Sequence, residues 1–248
     1  MLHIEGDDIA VLRMENGKVN ALDADFLKEL TETLGELQAK APRAVILTGT
    51  GGVFSAGADL RKVLDSDEAY IADGLDWLGR AFAALFAFPR PVVAAVNGHA
   101  IAGGAVLACA CDYRVMARGS GLIGLAELKV GVPFPVAALE VVRYAVTHRY
   151  FQELIYFGDT YDADEGLMRG LVDEVVETGH LMSRATEVAE RLASIPAESF
   201  SHTKRIMRAP ALERIAANAP EFDPNAARLW AAPETRASID AVMKALRG

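Results

Sequence analysis

The chain has 248 residues, of which 52% are hydrophobic and 24% are charged. This composition excludes a disordered chain, and a chain of this length buries roughly 72% of its unfolded surface in a core. There are 25 basic and 34 acidic residues, giving a net charge of −9. A nucleic-acid backbone would be repelled, so nucleic acid is not an expected partner.

Cysteine content and apolar segments set further limits. Two cysteines, Cys109 and Cys111, are too few for a disulfide framework or a four-ligand zinc site, and no metal is expected. The N-terminus lacks a basic segment followed by an apolar one, so we expect no secretory signal and a cytoplasmic location. Residues 91–111 are uncharged and long enough to span a membrane, but polar residues and glycines interrupt them. We therefore expect a buried strand, a turn and a buried helix there, and no membrane association.

The chain up to residue 157 alternates between strand and helix patterns. A strand is predicted at 9–14, with a turn at Asn16-Gly17 after it. Asp23 is expected to cap a helix that ends before Pro42 and buries one face, formed by Leu27, Leu30, Leu34 and Leu37. Further strands are predicted at 44–48, 91–96 and 113–116, and further helices at 67–86, 103–111 and 147–157. Strands separated by helices predict an α/β fold with parallel pairing.

The last third of the chain has a helical pattern only. Helices are predicted at 183–194, 197–208, 211–219 and 233–246, separated by Pro196, Pro210, Pro220, Pro224 and Pro233. With no strand left to pack on, these helices are expected to cover the core or to dock onto another subunit. We divide the chain into an α/β core at 1–190 and a C-terminal helical oligomerisation region at 191–248.

Two glycine-rich turns follow predicted buried strands. They are residues 54–61 (FSAGADLR) and 97–104 (NGHAIAGG). Their small residues allow a ligand to approach main-chain N–H groups, and Gly103-Gly104 stand where a helix begins. Taken singly, each is more simply a tight turn, but together they could form an oxyanion hole that stabilises an enolate. Neither has the spacing of a phosphate-binding or dinucleotide-binding loop.

These turns carry a resemblance to a known family. FSAGADLR, followed about forty residues later by AAVNGHAIAGGAVLACACDYR, resembles the crotonase superfamily of enoyl-CoA hydratases and isomerases. The resemblance extends to Asn20-Ala21-Leu22, to GLAELKVGV at 124–132 and to residues 163–176, and it is strongest to the Δ3,Δ2-enoyl-CoA isomerase branch. It implies a ClpP/crotonase-like spiral of ββα units with a C-terminal helical trimerisation region. It also implies an acyl-CoA thioester substrate, no separate cofactor, and a homotrimer or hexamer.

The same resemblance assigns roles to particular positions. It implies that the N–H groups of Ala58 and Gly103 hold the thioester oxygen. Coenzyme A would lie along Ala21, Ala56, Ala58, Asp59, Leu60, Arg61 and Gly103. Hydratases of the family use two glutamates, but the first of these positions is Val106 here, and only Glu127 remains. The implied activity is therefore the shift of a 3-enoyl-CoA double bond to give 2-trans-enoyl-CoA for β-oxidation, with Glu127 as acid and base.

Two alternatives remain open at this point. The protein could be a hydratase whose second carboxylate comes from Asp73 or Asp76, or a non-catalytic protein that binds acyl-CoA. Without the family pattern, Glu127 is more simply a surface carboxylate near a strand end. With it, the apolar neighbours Val106, Leu125, Val130 and Phe134 predict a dry site in which desolvation raises the Glu127 pKa. Phe134, between two prolines, is expected to close the acyl pocket.

The remaining polar residues have simpler interpretations. His99 is expected to be a hydrogen-bonded turn residue rather than a second base. Asp59 and Asp112 are expected to cap helices or turns. Arg61, Lys204 and Arg205 are exposed charges on sequence grounds and are candidates for pairing with the CoA phosphates.

Overall fold

The computed structural model describes residues 1–245 and confirms the α/β class. Strands β1 to β10 are Leu2–Glu5, Ile9–Met14, Ala44–Gly49, Val53–Ser55, Val92–Val96, His99–Ile101, Tyr113–Arg118, Ile123–Gly124, Thr160–Tyr161 and Glu174–Glu177. Helices α1 to α10 are Ala24–Lys40, Leu60–Asp65, Glu68–Ala87, Gly103–Ala110, Val136–Ala145, His148–Phe157, Ala163–Arg169, Leu181–Ala193, Ala197–Ala231 and Pro233–Ala245. The last predicted helix extends to Leu246, which lies outside the described residues. No helix within residues 1–245 is both long enough and apolar enough to cross a membrane.

The larger sheet has six strands in the order β1-β2-β3-β5-β7-β10. Only β1 is antiparallel to its neighbour, so the predicted parallel pairing of the four core strands is confirmed. Strands β3 and β5 are buried along their whole length because helices cover both faces of the sheet. On one face, Ile46, Val93 and Val115 pack against Leu181 and Ala185 of α8. The expectation that the C-terminal helices find no strand to pack on is therefore wrong for α8.

The smaller sheet has four short strands in the order β4-β6-β8-β9. Strands β4, β6 and β8 run parallel, with Ser55 opposite Ala100 and Ile101 opposite Gly124. Because these strands are parallel, their carboxyl ends meet at one edge of the sheet, where ligands bind in many α/β proteins. We call this edge the small-sheet edge. Residues 56–61 of the first glycine-rich turn, residues 102–104 of the second and the segment leading to Glu127 follow these three strands there.

Helix α4 packs closely against the first glycine-rich turn. A Cβ atom added at Gly104 would lie 2.1 Å from the carbonyl oxygen of Ser55, so only glycine fits at this position. Gly57 has a φ of +80°, and a Cβ there would lie 3.0 Å from the amide nitrogen of Gly103. The two turns are therefore in direct contact, as an oxyanion hole built from both of them requires.

Helix α9 is continuous from residue 197 to residue 231 and passes through Pro210, Pro220 and Pro224. The prediction of separate helices at 197–208 and 211–219 is therefore wrong. A proline removes one backbone hydrogen bond and bends a helix, but it does not always end it. Here α9 packs along α3 and α5, and these contacts hold its segments in line.

Buried ion pairs fasten α9 to the core. The Asp112 carboxylate accepts hydrogen bonds from Lys204 Nζ at 2.7 Å and from Arg208 Nη2 at 2.8 Å. Arg208 also donates to the carbonyl oxygens of Phe86, Ala110 and Cys111, which close α3 and α4. Lys204 is buried, so the expectation that it is an exposed charge is wrong.

Substitution of Gly104 tests the close approach of α4 to β4. We expect Gly104→Ala to destabilise the protein by about 1–3 kcal/mol, because the new methyl group meets a backbone oxygen that cannot easily move. Gly35→Ala is the matched control: it lies in α1 with no atom near its added Cβ, and should stabilise by about 0.5–1 kcal/mol. Urea unfolding of both variants measures the difference, and equal midpoints would contradict the packing described.

Candidate active site

Side-chain hydrogen bonds fix the first glycine-rich turn. The Asn20 amide nitrogen donates to the carbonyl oxygens of Val53 and Phe54 at 3.0 and 3.2 Å. Ser55 Oγ donates to the carbonyl oxygen of Asn20 at 2.7 Å and accepts from the Gly57 amide at 3.2 Å. Asn20 has a φ of +49°, a conformation that asparagine tolerates better than most residues. The sequence motif contains both residues, but their positioning role was not predicted.

Backbone hydrogen bonds fix the residues on both sides of Ala58. Leu22 donates its amide to the Gly57 carbonyl at 2.8 Å, and the Asp59 amide donates to the Leu22 carbonyl at 3.1 Å. The amide of Ala58 itself has no acceptor among the described residues. The turn therefore presents one fixed N–H donor without a protein partner.

The second glycine-rich turn leads into α4 through a strained residue. Ala102 has φ 53° and ψ −123°, a combination that residues with a side chain rarely adopt. Its amide is held by the Gly124 carbonyl at 2.8 Å. Gly103 is the first residue of α4, and its amide has no acceptor within residues 1–245. A second free donor therefore stands beside the turn that contains Ala58.

Glu127 follows β8 and begins a short 3-10 turn. Its carbonyl accepts from the amides of Val130 and Val132, both at 3.1 Å. The residue is only 6% exposed, and Oε2 has no hydrogen-bond partner in the described chain. Burial raises the pKa of this carboxyl from 4.5 to about 8, against a smaller lowering effect of its own backbone amide. The predicted raised pKa is confirmed, and the interpretation of Glu127 as a surface carboxylate is wrong.

The other candidate carboxylates differ from Glu127. Glu140 is also buried, but it is paired with Arg143 at 2.9 Å and with Arg214 at 2.6 Å. Asp73 and Asp76, the two residues considered as a second acid, are exposed on α3. The cleft next to Ala58 is lined by neither of them, nor by Glu127. Within residues 1–245, no group of three or more His, Cys, Asp or Glu side chains is arranged to hold a metal ion.

A narrow apolar cleft adjoins Ala58. Its walls come from the start of α1, from α2 and α3, and from Trp230 of α9. The Asp23–Lys62 ion pair, at 2.9 Å, and Tyr70 add polar groups to the lining. The cleft holds about 40 Å³ of open space, so a large side chain added to its lining would fill it.

The predicted CoA-lining residues differ in position and exposure. Ala58 and Asp59 line the cleft, while Ala56 and Arg61 are exposed. Ala21 and Leu60 are half-buried, and Gly103 is buried. Asp59 caps α2 by accepting from the amides of Arg61 and Lys62, at 3.0 and 3.2 Å, as predicted.

The structure also tests the expectations for Phe134 and His99. Phe134 does not line the cleft; Trp230 does, held by a hydrogen bond from Nε1 to the Pro133 carbonyl at 2.9 Å. No local sequence signal pointed to Trp230, because it comes from α9, far along the chain. His99 is hydrogen-bonded as predicted, since its Nδ1 accepts from the Leu122 amide at 3.2 Å, but it is the first residue of β6 and not a turn residue.

The three basic residues considered as partners of the CoA phosphates lie in different surroundings. Arg61 is exposed at the start of α2, close to Ala58 in the chain. Lys204 is buried against Asp112, and Arg205 lies on α9 beside His202. Of the three, only Arg61 adjoins the turn that holds Ala58.

Comparisons with known proteins agree with this geometry. A family model described as Enoyl-CoA hydratase/isomerase matches residues 5–229. The chain is 34% identical over 203 residues to the mitochondrial enoyl-CoA delta isomerase 1 of Rattus norvegicus, covering 81% of this chain and 70% of that protein. It is 35% identical over 216 residues to a putative enoyl-CoA hydratase of Thermus thermophilus, covering 84% of each chain.

The fold comparison points the same way. The crystal structure of human mitochondrial delta3-delta2-enoyl-CoA isomerase superposes with a TM-score of 0.95 at 28% identity, covering 99% of this chain and 98% of that one. The expected crotonase fold is thereby confirmed, as is the expectation of an enzyme related to enoyl-CoA isomerases and hydratases. The chain belongs to the enoyl-CoA hydratase/isomerase family.

Proposed function

We propose that the protein shifts the double bond of a 3-enoyl-CoA to give 2-trans-enoyl-CoA, with Glu127 as both acid and base. The observation that carries this proposal is a single buried carboxyl without a counter-charge, following a strand whose end lies at the same sheet edge as two free amides. Both isomerases and hydratases are among the relatives, so their names do not decide between the two activities.

In the proposed reaction, the Glu127 carboxylate removes a proton from C2 of the substrate. The electron pair of the C–H bond delocalises onto the thioester oxygen, which accepts hydrogen bonds from the amides of Ala58 and Gly103. The positive end of the α4 dipole, at Gly103, stabilises the same negative charge. The acid then returns the proton to C4, so one carboxyl completes the shift and no atom is gained or lost.

Water addition has less support. It requires a second acidic group to hold and activate water, and the family position for that group is the fully buried Val106. Asp73 and Asp76 are exposed, and Asp76 is paired with Arg80 at 2.8 Å. A non-catalytic binding role also has less support, because a binding site gains nothing from an unpaired buried acid.

Coenzyme A is expected to follow Ala21, Ala56 and the segment from Ala58 to Arg61, with no separate cofactor. The proposed homotrimer or hexamer is supported by large apolar side chains exposed on the outer helices, namely Tyr156, Phe157 and Phe222. A cytoplasmic location and a place in fatty-acid β-oxidation remain predictions.

Glu127→Gln tests the proposed base. We expect turnover of 3-hexenoyl-CoA to fall by about 10²–10⁴-fold, because the amide cannot accept the C2 proton, while acyl-CoA binding changes little. Glu213→Gln, an exposed glutamate on α9, is the control and should keep full activity. Spectrophotometry of double-bond migration, and of water addition to 2-hexenoyl-CoA, gives both rates. Retained migration in Glu127→Gln removes the residue from the mechanism, and dominant water addition identifies a hydratase instead.

The pH dependence gives a second test. The base must be ionised, and a pKa of about 8 leaves about a tenth of Glu127 ionised at pH 7. We expect kcat/KM for double-bond migration to rise roughly tenfold per pH unit below pH 7 and to level off above an inflection near 8. A profile that is already flat at pH 6 would show that the active base is an ordinary exposed carboxylate.

Gly74 tests whether the cleft beside Ala58 receives the acyl chain. Gly74 lines the cleft, and a Cβ there meets no atom within 4 Å, so an added methyl group fits without disturbing the fold and a longer side chain extends into the cleft. We expect Gly74→Leu to lower kcat/KM for 3-dodecenoyl-CoA about tenfold more than for 3-hexenoyl-CoA, and Gly74→Ala to change the ratio little. Equal losses for both chain lengths would show that the acyl tail lies elsewhere.

A further inference from the structure

A second cleft lies at the far end of α4 from the small-sheet edge. It encloses about 330 Å³ between the last turn of α4, the start of β7, the end of α5 and the first half of α9. We call it the basic cleft, because its lining includes the cations Arg114, Lys204 and Arg208 but only one carboxylate, Asp112. Helix α4 has eight residues, which separates this end from Gly103 by about 12 Å.

Both oxygens of the one carboxylate in the basic cleft already accept hydrogen bonds. Asp112 Oδ1 accepts from Arg208, and Oδ2 accepts from Lys204 and from the Val92 amide at 2.8 Å. The other recorded partners of Lys204 and Arg208 are neutral carbonyl oxygens, among them that of Arg90. One negative charge is therefore shared between two buried cations.

Arg114 is the third cation and is incompletely satisfied. It is 6% exposed, and its Nη2 donates to Asp173 Oδ1 at 2.9 Å. Its Nε lies buried with no acceptor in the described part of the chain. Buried donors normally have a partner, and an unpaired one attached to a charged group is costly.

The charge count leaves a positive excess. Three cations, Arg114, Lys204 and Arg208, stand against two carboxylates, Asp112 and Asp173. The pKa of Lys204 is lowered to about 8, first by burial and also by the like charge of Arg208, even though Asp112 opposes the change. The positive excess therefore rests on the count of charged groups, and the lowered pKa adds only that the Lys204 ammonium is poorly solvated.

We propose that the basic cleft binds a phosphate group between Arg114 and Lys204. The guanidinium of Arg114, whose Nε lacks an acceptor, and the third ammonium hydrogen of Lys204 would supply charge-assisted donors to it. Tyr144 and Phe200 line the same cleft and would contact an organic group attached to the phosphate. A bound phosphate would supply the missing negative charge and strengthen the attachment of α9 to the core.

Met207 and Ile206 provide a matched pair of variants. They are adjacent on α9 and equally exposed, at 59% each, but only Met207 lines the cleft. Met207→Glu brings a carboxylate to the cleft, where it competes with phosphate for the cations. Ile206→Glu adds the same charge outside the cleft.

The experiment is titration of the full-length protein with inorganic phosphate and with phenyl phosphate, at constant ionic strength, by calorimetry and thermal unfolding. We expect saturable binding and a rise in Tm of about 3–5 °C at ten times the dissociation constant. Met207→Glu should weaken binding at least tenfold, while Ile206→Glu and Arg61→Ala should bind as the wild type does. Tighter binding of phenyl phosphate identifies an organic phosphate as the ligand, and equal binding identifies free phosphate.

Two results would overturn the proposal. One is the absence of saturable binding, and the other is unchanged binding by Met207→Glu or loss of binding in Arg61→Ala, which would place the phosphate at the CoA side. If Met207→Glu alone alters the oligomer on size-exclusion chromatography, Thr203→Glu, which lines the same cleft, replaces it. NMR titration of the ε-carbon of Lys204 supplies an independent readout, since phosphate must raise the pKa of this amine.

Discussion

The buried, unpaired carboxyl of Glu127 is the constraint on which the active site depends. The folded protein favours its neutral form, since ionising it in a dry site without a counter-charge is costly. The stabilisation that the neutral acid contributes is complete below pH 4.5, where the unfolded chain is also protonated, and is lost as pH rises through about 8. Proton abstraction needs the other, ionised form. A weakly acidic C–H bond requires a stronger base than an exposed carboxylate, and the same burial that disfavours the anion provides that strength.

The two free amides complement this carboxyl. In the proposed reaction, Glu127 loses its negative charge when it takes a proton, and an equal charge develops on the thioester oxygen beside Ala58 and Gly103. The total charge of the site stays constant. The negative charge moves from an unsolvated carboxylate to an oxygen atom that accepts hydrogen bonds from two amides already in position. These donors are available because the backbone is held in conformations that leave them unpaired, including the strained Ala102 and the closely packed Gly104.

The sequence predicts those helices and strands that carry a hydrophobic pattern over enough consecutive residues. The apolar face of α1 and the continuous apolar runs of β3 and β5 identified the large sheet and its crossovers. Strands β4, β6 and β8 are two or three residues long, too short for any periodicity. The segments of β4 and β6 were predicted as parts of the glycine-rich turns, and no bounds were predicted for β8. The prolines of α9 predicted helix ends, but tertiary packing keeps the helix continuous through them. Burial of Lys204 and the position of Trp230 depend on contacts between distant segments, which no local pattern records. Glu127 was identified only through the family pattern, because a single glutamate near a strand end is unremarkable by itself.

Helix α4 connects the chemistry to the architecture of the C-terminal region. It has no side-chain N-cap and no acidic residue in its first turn, so nothing in the helix itself neutralises its positive end. Its negative end is different, because Arg208 donates to the carbonyl oxygens of Ala110 and Cys111. A cation at the C-terminus stabilises a helix through its dipole without consuming any N-terminal donor. Stabilisation applied at the far end therefore leaves the Gly103 amide free for the proposed contact with substrate. This arrangement makes α9 a part of the support of the proposed oxyanion site, although it reaches that site only through the length of α4.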